Sequence, residues 1–438
     1  MGFDQAAVNR VFLPGTYAGG VPYELFRELR AEAPVWWVEE PGVGGWPAGP
    51  GYWAVLRHAD VKHVLRSPQD FSSHLGATQI RDPDRPADLA FARTMMLNQD
   101  PPDHSRLRRI VAAAFTPRAL AELAGAVDDR ARDLVAAVRP EGGADFVRLA
   151  ADLPVWTLAR VMGVPEQDRQ LLLDWANRVI GYQDADYADA TTADPATLTD
   201  LGRAALARRP TARTTPDGRP VNPRSRAALA DMFAYAHGLA RQAEPAGLLA
   251  RTLTAGLTAE EFETMFFLFA VAGNETVRNG LPGGLLTLLD HPEQYRLLRS
   301  RPELLPTAVE EMLRYWPPVM DFRRTAARDV ELAGRTIRRG DKVVVYHASA
   351  NRDETVFPDP DRFDVTRSPN DHLSFGDGPH FCLGARLARL QMSALLHHVV
   401  TELPDLERAP GPPPARLVSN FQNGLKDLRI RWRPAGRP

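Results

Sequence analysis

Residues 375–389 read FGDGPHFCLGARLAR, and Cys382 within them is the only cysteine in 438 residues. Gly376, Gly378 and Gly384 permit tight turns and the close approach of a flat partner. The stretch after Cys382, LGARLARLQMSALLHHVV, has helical periodicity, which puts the thiol at a helix N-terminus. Exposed backbone N–H groups and the helix dipole there favour thiolate over thiol. A lone thiolate in a glycine-lined pocket can serve as a nucleophile or as an axial ligand of iron. A single cysteine otherwise behaves as a small buried hydrophobe. Phe375, Gly378 and Gly384 at these offsets favour the chemical reading.

A second polar group interrupts an apolar run. Thr258 and Glu261 have the spacing of a capping box, and Phe262, Met265, Phe266 and Phe269 follow at helical intervals. AGNET, residues 272–276, then breaks the pattern, and Leu281, Leu285, Leu286, Leu288 and Leu289 resume it. The patch therefore lies inside a buried helix. Elsewhere, Glu311 and Arg314 stand at i and i+3, where two side chains share a helix face and can pair. On a surface such a pair contributes little.

These residues need elements to hold them. Residues 21–34 read as an amphipathic helix; PVWWVEE and GYWAVLRH read as two strands joined by a Gly/Pro-rich loop over 41–51. Helical patterns dominate from about residue 104 to 316. Strand-like sequence runs from Val330 to Tyr346, a helix follows Cys382, and short strands close the chain. No repeat and no dividing linker is visible. The spacing predicts one domain over 1–438, mainly α with small β-sheets (α+β). Residues 183–224, with RRPTARTTPDGRPVNPR, are polar and rich in Pro and Arg. They carry too little apolar surface to order well and read as a flexible lid insertion.

Composition excludes several classes. The formal net charge is −2, and all but three of the 53 basic residues are Arg. That balance argues against a nucleic-acid binder held by a bulk basic field. One cysteine excludes an intrachain disulfide or a cysteine-cluster metal site. The opening MGFDQAAVNRVFLPG has no apolar run suited to a signal peptide or membrane anchor, and Ala6 stands where a myristoylation motif wants Ser or Thr. A cytoplasmic monomer is expected.

Phe375, Gly376, Gly378, His380, Cys382 and Gly384 together resemble the haem-ligand signature of cytochrome P-450 monooxygenases. The resemblance extends over essentially the whole chain, from Pro22–Arg27 to SNFQNGLKDLRI. AGNET, SANRDETVFPDPDRFD and SNFQNGLK are most similar to actinobacterial members that oxidise steroids, terpenoids or branched lipids. It implies that Cys382 is the proximal thiolate on haem b, seated between the central oxygen-side helix and the Cys-loop helix. A thiolate ligand favours O–O cleavage over reversible carriage. Glu311, Arg314 and Arg362 would form the family's buried bracing network. His104 and Arg108, at i and i+4 in DHSRLRR, would hold the propionates with His380 and Arg324, Arg323 being the alternative at that position. Gly273 would admit O2, Thr276 would hydrogen-bond the oxygen being activated, and Glu275 would relay protons.

By the same resemblance the substrate pocket draws on Met95, Met96, Leu97, Phe269, Ala272, Val319, Met320, Phe322 and Phe421. Nearly all are apolar, so a lipophilic terpenoid, steroid, macrolide or fatty-acyl substrate is expected. Electrons would come ultimately from NAD(P)H through a separate ferredoxin and reductase. Arg106, Arg109, Arg386 and Arg389 would offer the ferredoxin a basic face. A peroxide-driven peroxygenase and a non-catalytic haem sensor are the alternatives, and the pair Glu275 and Thr276 counts against both.

Overall fold

The computed structural model describes residues 4–188, 191–216, 218–242, 252 and 255–434. After a short helix over Gln5–Asn9, α1 (Tyr23–Glu32) leads into a five-stranded sheet. The strands are β1 (Val35–Val38), β2 (Tyr52–Val55), β3 (Phe71–Ser72), β4 (Asp321–Ala326) and β5 (Lys342–Tyr346), in the order β1-β2-β5-β4-β3. The strands expected at 34–40 and 51–58 form and pair antiparallel, Val35 opposite Val55. The expected strand region 330–346 divides. Val330–Leu332 and Arg335–Ile337 form a separate hairpin, and only Lys342–Tyr346 joins the main sheet. Ala333 and Gly334 both have positive φ, as the two-residue turn between those short strands demands.

Helices make the rest. The central one, α6 (Ala259–Asp290), is 32 residues long, about 48 Å at the α-helical rise. Its N-terminus is the predicted capping box: Thr258 Oγ1 accepts from the Glu261 N–H, and Glu261 Oε2 accepts from the Thr258 N–H. Its C-terminal half buries Leu281, Leu285 and Leu288 against α3 (Pro117–Val138), α4 (Phe146–Met162), α7 (Leu305–Tyr315) and α8 (Ala385–Glu402). Gly283 lets α6 approach the end of α7, because a Cβ there would stand 2.2 Å from Trp316 Nε1. The N-terminal half packs instead on α5 (Arg169–Ile180) and Ala230–Ala240, burying Phe262, Phe266 and Ala270.

Within the expected lid insertion, 183–224, the stretch 192–206 takes up a defined structure. Thr199 caps a helix over Asp200–Leu206, and Ala193, Leu198 and Ala205 are buried. Two buried carboxylates beside or within α5 hold it. Asp168 accepts from the Thr199 N–H, the Thr199 hydroxyl and the Tyr235 hydroxyl; Asp174 accepts from the Thr192 hydroxyl and the Ala193 N–H. Polar anchoring replaces the apolar burial that the sequence lacks. Among the described residues no single helix is long and apolar enough to cross a membrane.

Candidate functional site

The Cys382 loop is built by its backbone. The Cys382 N–H donates to the Phe375 carbonyl at 2.9 Å, and the Gly376 N–H to the Leu373 carbonyl at 2.8 Å. Gly378 has φ +68°, and a Cβ on it would meet the Leu65 carbonyl at 2.5 Å, so only glycine fits. A helix ahead of α3, Asp103–Ala112, is tied to the loop by Arg108, which donates to the Pro379 and Phe381 carbonyls at 3.2 and 2.7 Å. Helix α8 begins at Ala385, three residues after the thiol.

The thiol opens into a cavity between this loop and α6. Burial pushes its pKa up, against the opposing pull of the Gly384 N–H, Arg108 and Arg389. Burial thus opposes the helix-end preference for thiolate, which the Gly384 N–H still supports, and a bound cation would add to that support. Among the described residues no group of three or more His, Cys, Asp or Glu could hold a metal ion.

His104, Arg108, Arg324 and His380 line the same cavity. The rings of His104 and His380 lie 4.0 Å apart. Burial and the Arg108 guanidinium lower His104 to about 4, and burial with Arg324 holds His380 well below its ordinary value. Burial also lowers Arg324 to about 10. His104 Nδ1 is buried without a partner among the described residues. The strand register settles which arginine belongs here. Arg324 faces the cavity, whereas Arg323 points to the opposite face and binds Asp82 at 2.5 Å. His347 also lines the cavity and was missed, since a histidine after the valine run KVVVY carries no motif.

These residues fit a haem. A Cβ built on Gly384 meets nothing within 4 Å, so its backbone borders open space beside the thiol. Phe375, Leu387, Leu158 and Val277 supply apolar walls. Two guanidiniums with two neutral histidine rings beside them suit anions, which two propionates would supply.

On α6, Ala272, Gly273 and Thr276 face the cavity. The Thr276 hydroxyl donates to the Ala272 carbonyl at 3.0 Å. Glu275 does not face it. Its carboxylate is fully buried, pairs with Arg278 at 3.2 Å and accepts from Asn279 at 3.2 Å, and Arg278 goes on to Asn177. The expected relay position is thus occupied by a structural ion pair, because one residue's step along a helix turns the side chain by about 100°.

A second, apolar chamber adjoins the first and shares Leu97, Leu268, Ala272, Thr276, Val319 and Phe322 with it. Of the predicted pocket residues, Met95, Leu97, Ala272, Val319, Phe322 and Phe421 line this chamber. Met96 and Phe269 line only the cavity over Cys382, with Phe269 stacked on Phe115. Met320 lines neither; it precedes β4 and packs in a buried cluster with Val8, Tyr17 and Phe26. Phe91, Phe267 and Val271 complete the walls and were not foreseen.

The bracing network also differs in one member. Glu311 and Arg314 are fully buried and paired at 2.7 Å. The third partner is Arg367, whose Nε lies 3.2 Å from Glu311, not Arg362. Arg362 contributes only its carbonyl to Arg314 and Arg367, and its side chain is 65% exposed beside Asp364. Of the four arginines expected on the basic face, Arg109 and Arg386 are exposed, while Arg106 is engaged by Glu261 and Arg389 by Glu310.

A profile of the cytochrome P-450 family matches residues 246–404. A steroid C26-monooxygenase of Rhodococcus jostii is 35% identical over 435 residues, covering 96% of this chain and 84% of the relative. A methyl-branched lipid omega-hydroxylase of Mycobacterium bovis is 37% identical, covering 93% of this chain and 90% of the relative. Among solved structures, a Mycobacterium marinum cytochrome P-450 in complex with pseudoionone matches with a TM-score of 0.79 at 33% identity, over 95% of this chain and 96% of that one. A Bacillus megaterium protein in complex with testosterone matches with a TM-score of 0.76 at 30% identity, over 94% and 97%.

Proposed function

The chain belongs to the cytochrome P-450 family of monooxygenases, and from that premise we propose that it inserts one atom of O2 into a lipophilic substrate of the steroid, terpenoid or branched-lipid class. The observation that carries the substrate class is the apolar chamber joined to the Cys382 cavity through Ala272 and Thr276. Relatives named for steroid and methyl-branched lipid oxidation support it.

Cys382 would hold the haem iron, and His104, Arg108, Arg324 and His380 would hold the propionates. When bound, the haem supplies the reductive splitting of O2, with one oxygen going to the substrate and the other to water for two electrons and two protons. The chain's residues do the remaining work. Phe91, Phe267, Val271 and Phe421 take up the substrate body and exclude water from it. Ala272 and Gly273 keep the approach above the thiol narrow in side-chain bulk but open. Thr276 stands at the junction of the two spaces and holds a proton at Oγ1 there. To donate forward, that hydroxyl must release the Ala272 carbonyl. Glu275 acts indirectly: it fixes Asn279, which donates to Gln422 on the chamber wall at 3.2 Å. Electrons would arrive from a ferredoxin and its reductase, drawing on NAD(P)H, with the exposed Arg109 and Arg386 offered to the acidic partner.

Reduced protein under carbon monoxide tests the ligation. A strongly red-shifted Soret band is expected, and a globin-like band would overturn the assignment of Cys382. Titration with steroids and branched lipids should displace distal water, read as a spin-state shift, and should give a singly oxygenated product.

A further inference from the structure

A third cavity continues from the apolar chamber on the side away from Cys382. It shares Trp46, Gln79, Arg81, Tyr182 and Phe421 with the chamber and none of its residues with the Cys382 cavity. The three spaces therefore run in series, and the third is lined with polar groups.

Most of those groups are spoken for. Gln183 donates to Asn420 at 2.9 Å, Asn420 donates to the Phe12 carbonyl at 2.6 Å, and Arg81 binds the Pro41 carbonyl and lies over the Phe12 ring. Asp321 is the exception. It is 1% exposed, and neither carboxyl oxygen has a hydrogen-bond partner among the described residues. On β4 it alternates with Phe322, so one residue faces the Cys382 cavity and apolar chamber while its neighbour serves the polar end. A buried carboxyl without a partner is costly, and native proteins keep few of them. No surrounding hydroxyl bonds it: Tyr17 donates to the Val11 carbonyl, and Tyr52 and Tyr346 bond each other at 2.7 Å.

We propose that Asp321 and this cavity form a subsite for a neutral hydrogen-bonding end group of the substrate, a hydroxyl or a ketone. A substrate held there presents its opposite, apolar end to Thr276. The subsite deepens the functional reading above and rests on it. Burial raises the carboxyl well above its ordinary value, which keeps it neutral and able both to donate to a carbonyl and to accept from a hydroxyl. An ionised carboxylate would select an amine instead.

Equilibrium dialysis of the haem-loaded protein against dodecanol, dodecane, dodecylamine and dodecanoate tests this. Wild type should hold dodecanol about tenfold or more tighter than dodecane. Asp321→Leu, close to isosteric and apolar, should abolish that preference while leaving dodecane affinity unchanged. Asp321→Asn, which keeps a donor and an acceptor, should retain most of it and stands as the folded control if the leucine variant does not accumulate. Equal affinities for dodecanol and dodecane in wild type, including no binding of either, overturn the proposal. So does a preference that survives in Asp321→Leu, or dodecylamine or dodecanoate as the tightest ligand. A carbon monoxide spectrum without the thiolate signature would instead overturn the ligation by Cys382, whatever the dialysis shows.

Discussion

At Thr276 the hydroxyl bonds back to the Ala272 carbonyl one turn earlier, so its proton is held by the helix until an acceptor in the cavity competes for it. Removing the hydroxyl leaves the fold and the thiol untouched. Thr276→Ala should therefore bind haem normally while product formation slows about 10²-fold. Electron consumption should continue and appear as hydrogen peroxide, measured against product. Full coupling in the variant would show that the proton comes from elsewhere. Glu310 offers a titration. Burial raises its carboxyl, but hydrogen bonds from Arg389 (2.6 and 2.7 Å) and His372 (3.2 Å) more than reverse this and hold it at about 2, below its ordinary 4.5. A depressed carboxylate stabilises the fold above its unfolded pKa and loses that contribution as pH falls from 4.5 towards about 2. Glu310→Gln should cost about 2 kcal/mol at neutral pH, measured by urea unfolding, and the gap to wild type should narrow below pH 4.5 and close only towards about pH 2.

Helix α7 is held to the chain below it by Glu311, which pairs with Arg314 and Arg367 and also accepts from the Asp364 N–H at 3.0 Å and Asn370 at 3.1 Å. Breaking a buried, multiply bonded carboxylate site leaves charge without its partner. Arg367→Ala should thus destabilise the fold by about 1–3 kcal/mol, whereas Arg362→Ala, at an exposed side chain 3.8 Å from Asp364, should change it by less than about 0.5 kcal/mol. Denaturant midpoints of the two variants decide the assignment. A larger loss at Arg362 would restore the pairing that the sequence suggested.

Across the whole molecule, the segment after α5 is the part whose order depends on distant polar anchors. Its helix 200–206 hangs on buried Asp168, while beyond it Thr214 and Pro220 form an isolated bridge, and Asn222, Pro223 and Arg224 reach the chamber wall. A roof of this kind can open beyond that helix without disturbing it. Amides of 200–206 should exchange slowly in all states. Those of 208–216 should exchange fast when free and about tenfold more slowly with a chamber ligand bound. Exchange in 208–216 that ignores the ligand would mark it as a surface insertion with no part in gating.

What the sequence determined by itself was local or densely patterned. The turn-rich run from Phe375 to Gly384 sets its own backbone over ten residues, Thr258 and Glu261 close a box across one helical turn, and the leucines after residue 280 declare a buried face at helical spacing. Glu311 and Arg314 were legible for the same reason, three residues apart on one helix. Tertiary structure alone decided where side chains point when neighbours in sequence face opposite ways. Arg323 and Arg324, Asp321 and Phe322, and Glu275 and Thr276 separate only when a sheet partner or a packed helix defines inside and outside. It also decided which of two arginines, 362 or 367, reaches Glu311, because that contact closes across a loop whose path no periodicity records. The same holds for Asp321. An aspartate at that position has no local signature, and its burial exists only once Tyr17, Tyr52 and Tyr346 have packed around it from three distant parts of the chain.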